Sequence, residues 1–161
     1  VHFSVIRGNI SEIKTLYEWS ENSYGVDAKK DDIITEDNQK KVIRMAKELA
    51  VKTKAVIVIT GETDLVTDGE TVYFIKNGVP EMARITGCGC MLDGVIAGFI
   101  GANQGNILEA TVTAVSAMGI CGEYARENAK GTGTLKVHLI DAMSNIDETW
   151  MERSNQIESR S

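Results

Sequence analysis

The sequence has no apolar stretch that could cross a bilayer: its longest apolar runs are short and broken by glycine, whereas a spanning helix needs about 20 such residues. Positive charge is not in excess either. Seventeen Lys and Arg stand against 23 Asp and Glu, a net charge of −6, which argues against a polyanionic partner such as DNA or an anionic membrane surface. A small phosphate ligand held by local backbone groups is still allowed. Cysteine is scarce and odd in number, three in all, two of them in Cys88-Gly89-Cys90; this is no disulfide framework and suits a reducing cytoplasm. Cys88, Cys90, the distant Cys121 and two scattered histidines do not make a zinc set. Walker A and strand–GxGxxG–helix patterns are missing, which excludes P-loop and Rossmann nucleotide sites. Val1-His2-Phe3-Ser4-Val5-Ile6-Arg7 offers no basic region ahead of an apolar run and no cleavage site, so no signal peptide is expected.

What remains is the composition of a globular protein. The 161 residues are 43% hydrophobic and 25% charged, enough for one domain, or two very small ones, with a core of its own. Residues 3–7 read as a strand running into Gly8, followed by a helix with Asn9 as N-cap and Glu12 three positions on. Residues from about 17 to 34 read as loop with room for one short strand. Thr35 should then cap a helix whose acids (Glu36, Asp37) precede its bases (Lys40, Lys41) and whose stripe is Val42, Met45, Ala46, Leu49. Val56-Ile57-Val58-Ile59 suggests a strand covered on both faces. Asp68-Gly69 between Leu65-Val66-Thr67 and Thr71-Val72-Tyr73-Phe74 is a strong hairpin signal. Asn77-Gly78 adds a second turn, and the meander continues through Met82-Ala83-Arg84-Ile85 into Thr86-Gly87-Cys88-Gly89-Cys90.

Apolar residues at 91, 92, 95, 96, 99 and 100 then predict a buried helix face. A longer helix follows from about Ile107 to Asn128. Its only charge between Ile107 and Gly122 is Glu109, so it must be covered on several sides. Gly131-Thr132-Gly133 breaks it, Leu135 to Ile140 can form a strand, and a last helix reaches about Met151. Residues 1–152 are expected to form the domain and 153–161 a frayed tail. The sum is an α/β sandwich with some antiparallel content. Too few parallel strands are present to cover helices this apolar, so the chain either oligomerises or is the C-terminal part of a larger fold.

Thr86-Gly87-Cys88-Gly89-Cys90 is the most informative segment. Glycines ahead of a helix let the amides of Gly87, Cys88 and Gly89 converge as an anion hole, and a cysteine at such a terminus can supply a thiolate. The bland alternative is a strand-to-helix turn with buried cysteines. Asn9-Ile10-Ser11-Glu12 is a capping box in all but its first residue type, or Glu12 orients Mg²⁺ or its waters. Arg7 is a surface ion-pair residue or a phosphate clamp. Strand C-termini are where open α/β sheets hold ligands, and Arg7 and Thr60 should share that edge.

Ile6-Arg7-Gly8-Asn9-Ile10-Ser11-Glu12, Ile59-Thr60-Gly61-Glu62-Thr63-Asp64, Ile85-Thr86-Gly87-Cys88-Gly89-Cys90-Met91-Leu92, and Met118-Gly119 with Gly131-Thr132-Gly133 together resemble hydroxyethylthiazole kinase, of the ribokinase-like superfamily. The blocks keep that family's order from Val5 to about Asp141, and four co-linear motifs are far more specific than any one. The resemblance implies a ribokinase-like three-layer α/β/α sandwich, with a mostly parallel sheet plus an antiparallel meander. It implies phosphorylation of the hydroxyl of 4-methyl-5-(2-hydroxyethyl)thiazole by ATP and Mg²⁺, a thiamine salvage step, in a cytoplasmic trimer. Carried over residue by residue, Arg7 and Thr60 match ATP-binding positions and Gly87 a thiazole-binding glycine. Glu12 falls in the metal-linked NxxE motif, and Cys90 takes the catalytic place, where related sugar and pyrimidine kinases have aspartate.

Three departures qualify this. Cys88 stands where Ala or Thr is usual, adding an oxidisable neighbour to Cys90. Gly131-Thr132-Gly133-Thr134-Leu135 replaces Gly-Pro-Gly-Ser-Phe. Family members also carry a further N-terminal β/α segment, so the chain reads as the C-terminal portion. The rival readings are a nucleotide-binding but catalytically incomplete fragment, and a related kinase acting on a hydroxymethylpyrimidine or a sugar.

Overall fold

The computed structural model describes residues 2–20 and 38–160. The chain divides into two compact units, Val1–Phe74 with Ser159–Ser161, and Ile75–Glu158. The expected loop over residues 21–34 and the Thr35 cap with Glu36 and Asp37 lie outside the described residues.

In the first unit, β1 (Val5–Asn9) leads into α1 (Ile10–Ser20), and α2 (Gln39–Thr53) into β2 (Val56–Thr60), β3 (Asp64–Thr67) and β4 (Val72–Ile75). The first strand begins two residues later than the pattern predicts, and residues 17–20 are helix rather than loop. β1 pairs parallel with β2, and β2 antiparallel with β3. With the C-terminal β5 (Ile157–Arg160) the strand order is β1-β2-β3-β4-β5, a mixed sheet. Val56 to Ile59 are all buried, as a run of β-branched residues without alternation demands. Ile57, Ile59, Leu65, Val72 and Phe74 of the sheet close the core with Ile10 and Ile13 of α1 and Val42, Ala46 and Leu49 of α2. The hairpin turn at Asp68-Gly69 forms as read. Gly69 has φ 103°, and Asp68 Oδ1 accepts from the amides of Glu70 and Thr71, each at 2.9 Å.

The second unit is mostly helical: a 3₁₀ turn (Pro80–Arg84), α3 (Cys88–Ala102), α4 (Ile107–Asn128), α5 (Thr132–Asn145) and α6 (Glu148–Ser154). α4 has the expected bounds and is buried on nearly every side, from Ala110 to Gly122 with only Thr113 partly exposed. α3 and α5 pack against it, and Trp150 of α6 stacks on Tyr124 with ring centroids 4.3 Å apart.

Four expectations need correction here. Met82 to Arg84 belong to a 3₁₀ turn, not a strand, because Pro80 presets φ at its start and has no N–H for a ladder. Leu135 to Ile140 lie inside α5: Leu135, Leu139 and Ala142 are buried at helical spacing, whereas Val137 and Ile140 of the expected strand face solvent. The apolar stripe of α3 buries only Leu92 and Ile96. The segment expected to fray carries α6's end and β5, tied down where the Lys76 amide donates to Gln156 O at 3.0 Å. Among the described residues no helix is long and apolar enough to cross a membrane.

Candidate active site

The register of the parallel pair sets Arg7 opposite Val58 and Asn9 opposite Thr60. Side chains alternate along strands, so Arg7, Asn9 and Thr60 share one face while Ile57 and Ile59 turn to the core on the other. Asn9 and Thr60 end their strands, at the sheet edge where ligands collect in open α/β folds. Arg7, half-buried, lies two residues short of that end rather than at it. Thr60 Oγ1 donates to Gly8 O at 3.4 Å, a long contact that restrains the hydroxyl weakly.

Glu12 forms the reciprocal capping box with Asn9. The Asn9 amide donates to Glu12 Oε2 at 2.8 Å, and the Glu12 amide donates to Asn9 Oδ1 at 2.9 Å. The glycine before Asn9 follows from this geometry. Gly8 is buried, and a Cβ there would come within 3.0 Å of Glu12 Cβ and 3.1 Å of its Oε2. Gly8 thus leaves the space through which Glu12 folds back to the strand.

Asp64 completes this end of the first unit, and the sequence reading gave it no role. Its Oδ1 accepts from the Gly61 amide at 2.8 Å, closing the turn that follows Thr60. Burial pushes its carboxyl up to about 6, against the opposing pull of the Gly61 N–H. An acid three residues after a Thr-Gly turn was the available signal.

In the second unit, Gly87 caps α3 with φ 88°, a left-handed conformation that glycine adopts without strain. The first helical bond runs from the Met91 amide to Gly87 O at 2.9 Å. Three first-turn amides precede it, those of Cys88, Gly89 and Cys90, and helix geometry gives none of them an intrahelical acceptor. The Cys88 amide is spent on Ile85 O at 3.1 Å. Of the Gly87, Cys88 and Gly89 amides read from sequence, Cys88 is therefore taken, and the first-turn amides left to an anion are those of Gly89 and Cys90. Cys90 is exposed; Cys88 is half-buried, and burial pushes its thiol up.

The Gly131-Thr132-Gly133 loop makes a different use of its amides. Thr134 Oγ1 accepts from Lys130 N at 2.9 Å and Gly131 N at 3.1 Å, so the start of α5 is capped from within. Beside it a cleft of about 240 Å³ is lined by Arg84, Arg126 and Lys130, but also by Glu81, which pairs with Arg126 at 2.6 Å. A larger, apolar cavity of about 460 Å³ lies among α3, α4 and α5, between Phe99, Met118, Cys121 and Met143.

The hub of the second unit was also missed. Buried Asn77 accepts at Oδ1 from Ser116 Oγ at 3.1 Å and from the Gln156 amide at 2.8 Å, and donates through Nδ2 to Ser154 O at 2.7 Å and Glu123 Oε1 at 3.2 Å. Gly119 lies directly against it, so the Met118-Gly119 motif marks a close backbone approach.

The order and content of these motifs match one family over almost all of the chain: the model of the hydroxyethylthiazole kinase family covers residues 1–149. The chain belongs to the hydroxyethylthiazole kinase family. It is 42% identical over 158 residues to hydroxyethylthiazole kinase 1 of Clostridium botulinum (strain Loch Maree / Type A3), covering 98% of this chain and 58% of that protein. It is 42% identical over 162 residues to hydroxyethylthiazole kinase of Clostridium acetobutylicum, covering 99% and 59%. The chain thus spans well under two thirds of the length of the curated relatives it matches. Among solved structures, hydroxyethylthiazole kinase protein from Pyrococcus horikoshii OT3 is similar with a TM-score of 0.83 and 25% identity, over 98% of this chain and 55% of that one. Bacillus subtilis YxkO, of the UPF0031 family, shares the fold at a TM-score of 0.57 and 21% identity, over 89% and 49%.

Glu12 stands at the end of β1 with Oε2 spent on the Asn9 amide. Among the described residues no group of three or more His, Cys, Asp or Glu is gathered for a metal. One carboxylate suits Mg²⁺, which keeps several waters and leans on substrate phosphates.

Proposed function

We propose that the chain carries the kinase chemistry of its family: ATP-dependent phosphorylation of the hydroxyl of a 4-methyl-5-(2-hydroxyethyl)thiazole, a thiamine salvage reaction. The observation that supports it best is the turn at the start of α3, where a left-handed Gly87 leaves the Gly89 and Cys90 amides ahead of the first helical bond beside an exposed cysteine. Phosphoryl transfer is mostly positioning and charge stabilisation. Amides aimed at the transferring group supply the second, each worth roughly 3 kcal/mol of barrier.

In this reading Arg7 and Thr60 bind ATP, and Asp64 holds the Thr60-Gly61 turn. Gly87 contacts the thiazole, and Cys90 orients the acceptor hydroxyl and takes its proton as a weak base. Glu12 holds hydrated Mg²⁺ with the carboxylate oxygen not spent on Asn9. When bound, that cation neutralises charge on the phosphate oxygens. Residues 1–152 form the kinase portion. A cytoplasmic setting accords with three free cysteines. Assembly as a homo-oligomer, a trimer as in the family, accords with an α3 that is strongly apolar yet buries only Leu92 and Ile96.

The test is transfer of labelled γ-phosphate from ATP to the thiazole alcohol by this chain, run against hydroxymethylpyrimidine and ribose. Thiazole-selective transfer that Cys90→Ala depresses by about 10²-fold or more supports the proposal. ATP binding without transfer to any acceptor, or preference for another alcohol, refutes it.

A further inference from the structure

Two thiols stand two residues apart in the first turn of α3, and the proposed chemistry needs only one of them. Both are free: Cys90 is exposed, Cys88 is half-buried, and the third cysteine, Cys121, is buried in α4. The geometry points to Cys88 and Cys90 as an oxidative modification site, where a peroxide-class oxidant joins them in an intramolecular disulfide that unwinds the start of α3.

The span permits the bond. Residues i and i+2 of an α-helix have Cα atoms about 5.4 Å apart, inside the roughly 4.4–6.8 Å a disulfide bridges. The direction does not. About 200° of helical rotation separates their Cβ bonds, so the bond closes only if the first turn opens. This turn can open cheaply. Gly87 is already left-handed at φ 88°, and a Cβ placed on it would meet nothing within 4 Å. Gly89, between the two cysteines, has the least restricted backbone of any residue. The bond to be broken, from the Met91 amide to Gly87 O, is the terminal one of the helix, where fraying costs least.

The steps balance. The exposed Cys90 sulfur attacks a peroxide oxygen; an S–O bond forms as O–O breaks, and the released hydroxide leaves as water with the thiol proton. The Cys88 sulfur then attacks the Cys90 sulfenic acid; S–S forms, S–O breaks, and a second water leaves with the Cys88 proton. Two thiols lose two electrons and one peroxide becomes two waters. Burial raises the Cys88 thiol, which makes it the slower first nucleophile and fits the resolving role. The disulfide and the ordered turn exclude each other, so oxidation withdraws the Gly89 and Cys90 amides from their helical places.

The experiment treats the folded chain with hydrogen peroxide, alkylates it under denaturing conditions and maps it by mass spectrometry. The expected result is a fall from three alkylated thiols to one, an internally linked Cys88–Cys90 peptide, faster amide exchange at Met91, and full reversal by dithiothreitol. Cys121→Ala should give the same linkage. Cys88→Ala should instead carry Cys90 to a sulfinic acid that dithiothreitol does not reverse. Wild-type protein in which Cys90 overoxidises or pairs with a second molecule while Cys88 still alkylates would overturn the proposal. So would resistance of both thiols to peroxide that oxidises free cysteine. None of these readouts depends on kinase activity.

Discussion

Replacing Gly119 with alanine should unseat the hub of the second unit, and the cost can be worked from its surroundings. An added Cβ would lie 2.6 Å from Asn77 Cβ and 2.7 Å from both Asn77 C and O. Carbon atoms rest about 3.5–4.0 Å apart, so the Asn77-Gly78 backbone would have to retreat by about 1 Å. That retreat stretches four side-chain bonds of Asn77 and the bond from the Gly78 amide to Glu123 Oε1 at 2.8 Å. Overpacking costs about 1–3 kcal/mol, and impaired buried polar groups about 1–3 kcal/mol more. Alanine's better helix propensity returns about 1 kcal/mol. The net loss should be about 1–5 kcal/mol, or roughly 2–20 °C in Tm at 2–4 °C per kcal/mol.

Gly122→Ala is the control, because its Cβ would come still closer to a neighbour, 2.2 Å from Met82 Sδ. That atom is near the end of a flexible side chain that can swing aside, so the expected cost is under about 1 kcal/mol after the same propensity gain. Urea and thermal unfolding of both variants compare the two. If Gly122→Ala costs as much as Gly119→Ala or more, contact distance rather than the rigidity of the contacted atom governs, and the reasoning fails.

Glu12→Ala should lower stability by about 1 kcal/mol by removing the capping box, whereas Glu12→Gln keeps it; only if Glu12 also serves Mg²⁺ should the glutamine variant bind Mg·ATP more weakly, which calorimetry decides. Asp64 has its carboxyl pushed up to about 6 by burial, so its contribution to stability is full below about pH 4 and is lost as pH rises through about 6. Asp64→Asn, which can still accept from Gly61, should therefore gain on wild type in urea unfolding between pH 4 and 8, and a difference independent of pH would contradict this. Lys54 ends α2 with φ 54°; Lys54→Gly should stabilise by about 1 kcal/mol, since only glycine holds that conformation without strain, and an unchanged or lower Tm would contradict it.

Local patterns decided what could be read from the chain alone. The Val56 to Ile59 run, the Asp68-Gly69 hairpin and the near-uncharged α4 each carry their instruction within a few residues. Leu135 to Ile140 carried two instructions at once, alternation at 135, 137 and 139 and helical spacing at 135, 139 and 142. Packing against α4 selected the helical set. β5 and the Asn77 hub were illegible because partners 39 to 82 residues apart hold them together. At the candidate site, the capping box and the Gly87 turn follow from sequence. Which amides the turn leaves for an anion does not, because Ile85 O takes the Cys88 amide.

The most direct test of the phosphoryl-receiving turn is a titration of isotope-labelled protein with Mg·ATP, followed at individual backbone amides by NMR. Large shifts at Gly89 and Cys90, with the Cys88 amide held on Ile85 and little moved, are the predicted result. ATP that binds at Arg7 and Thr60 while Gly89 and Cys90 stay unperturbed, with or without the thiazole alcohol present, would contradict it.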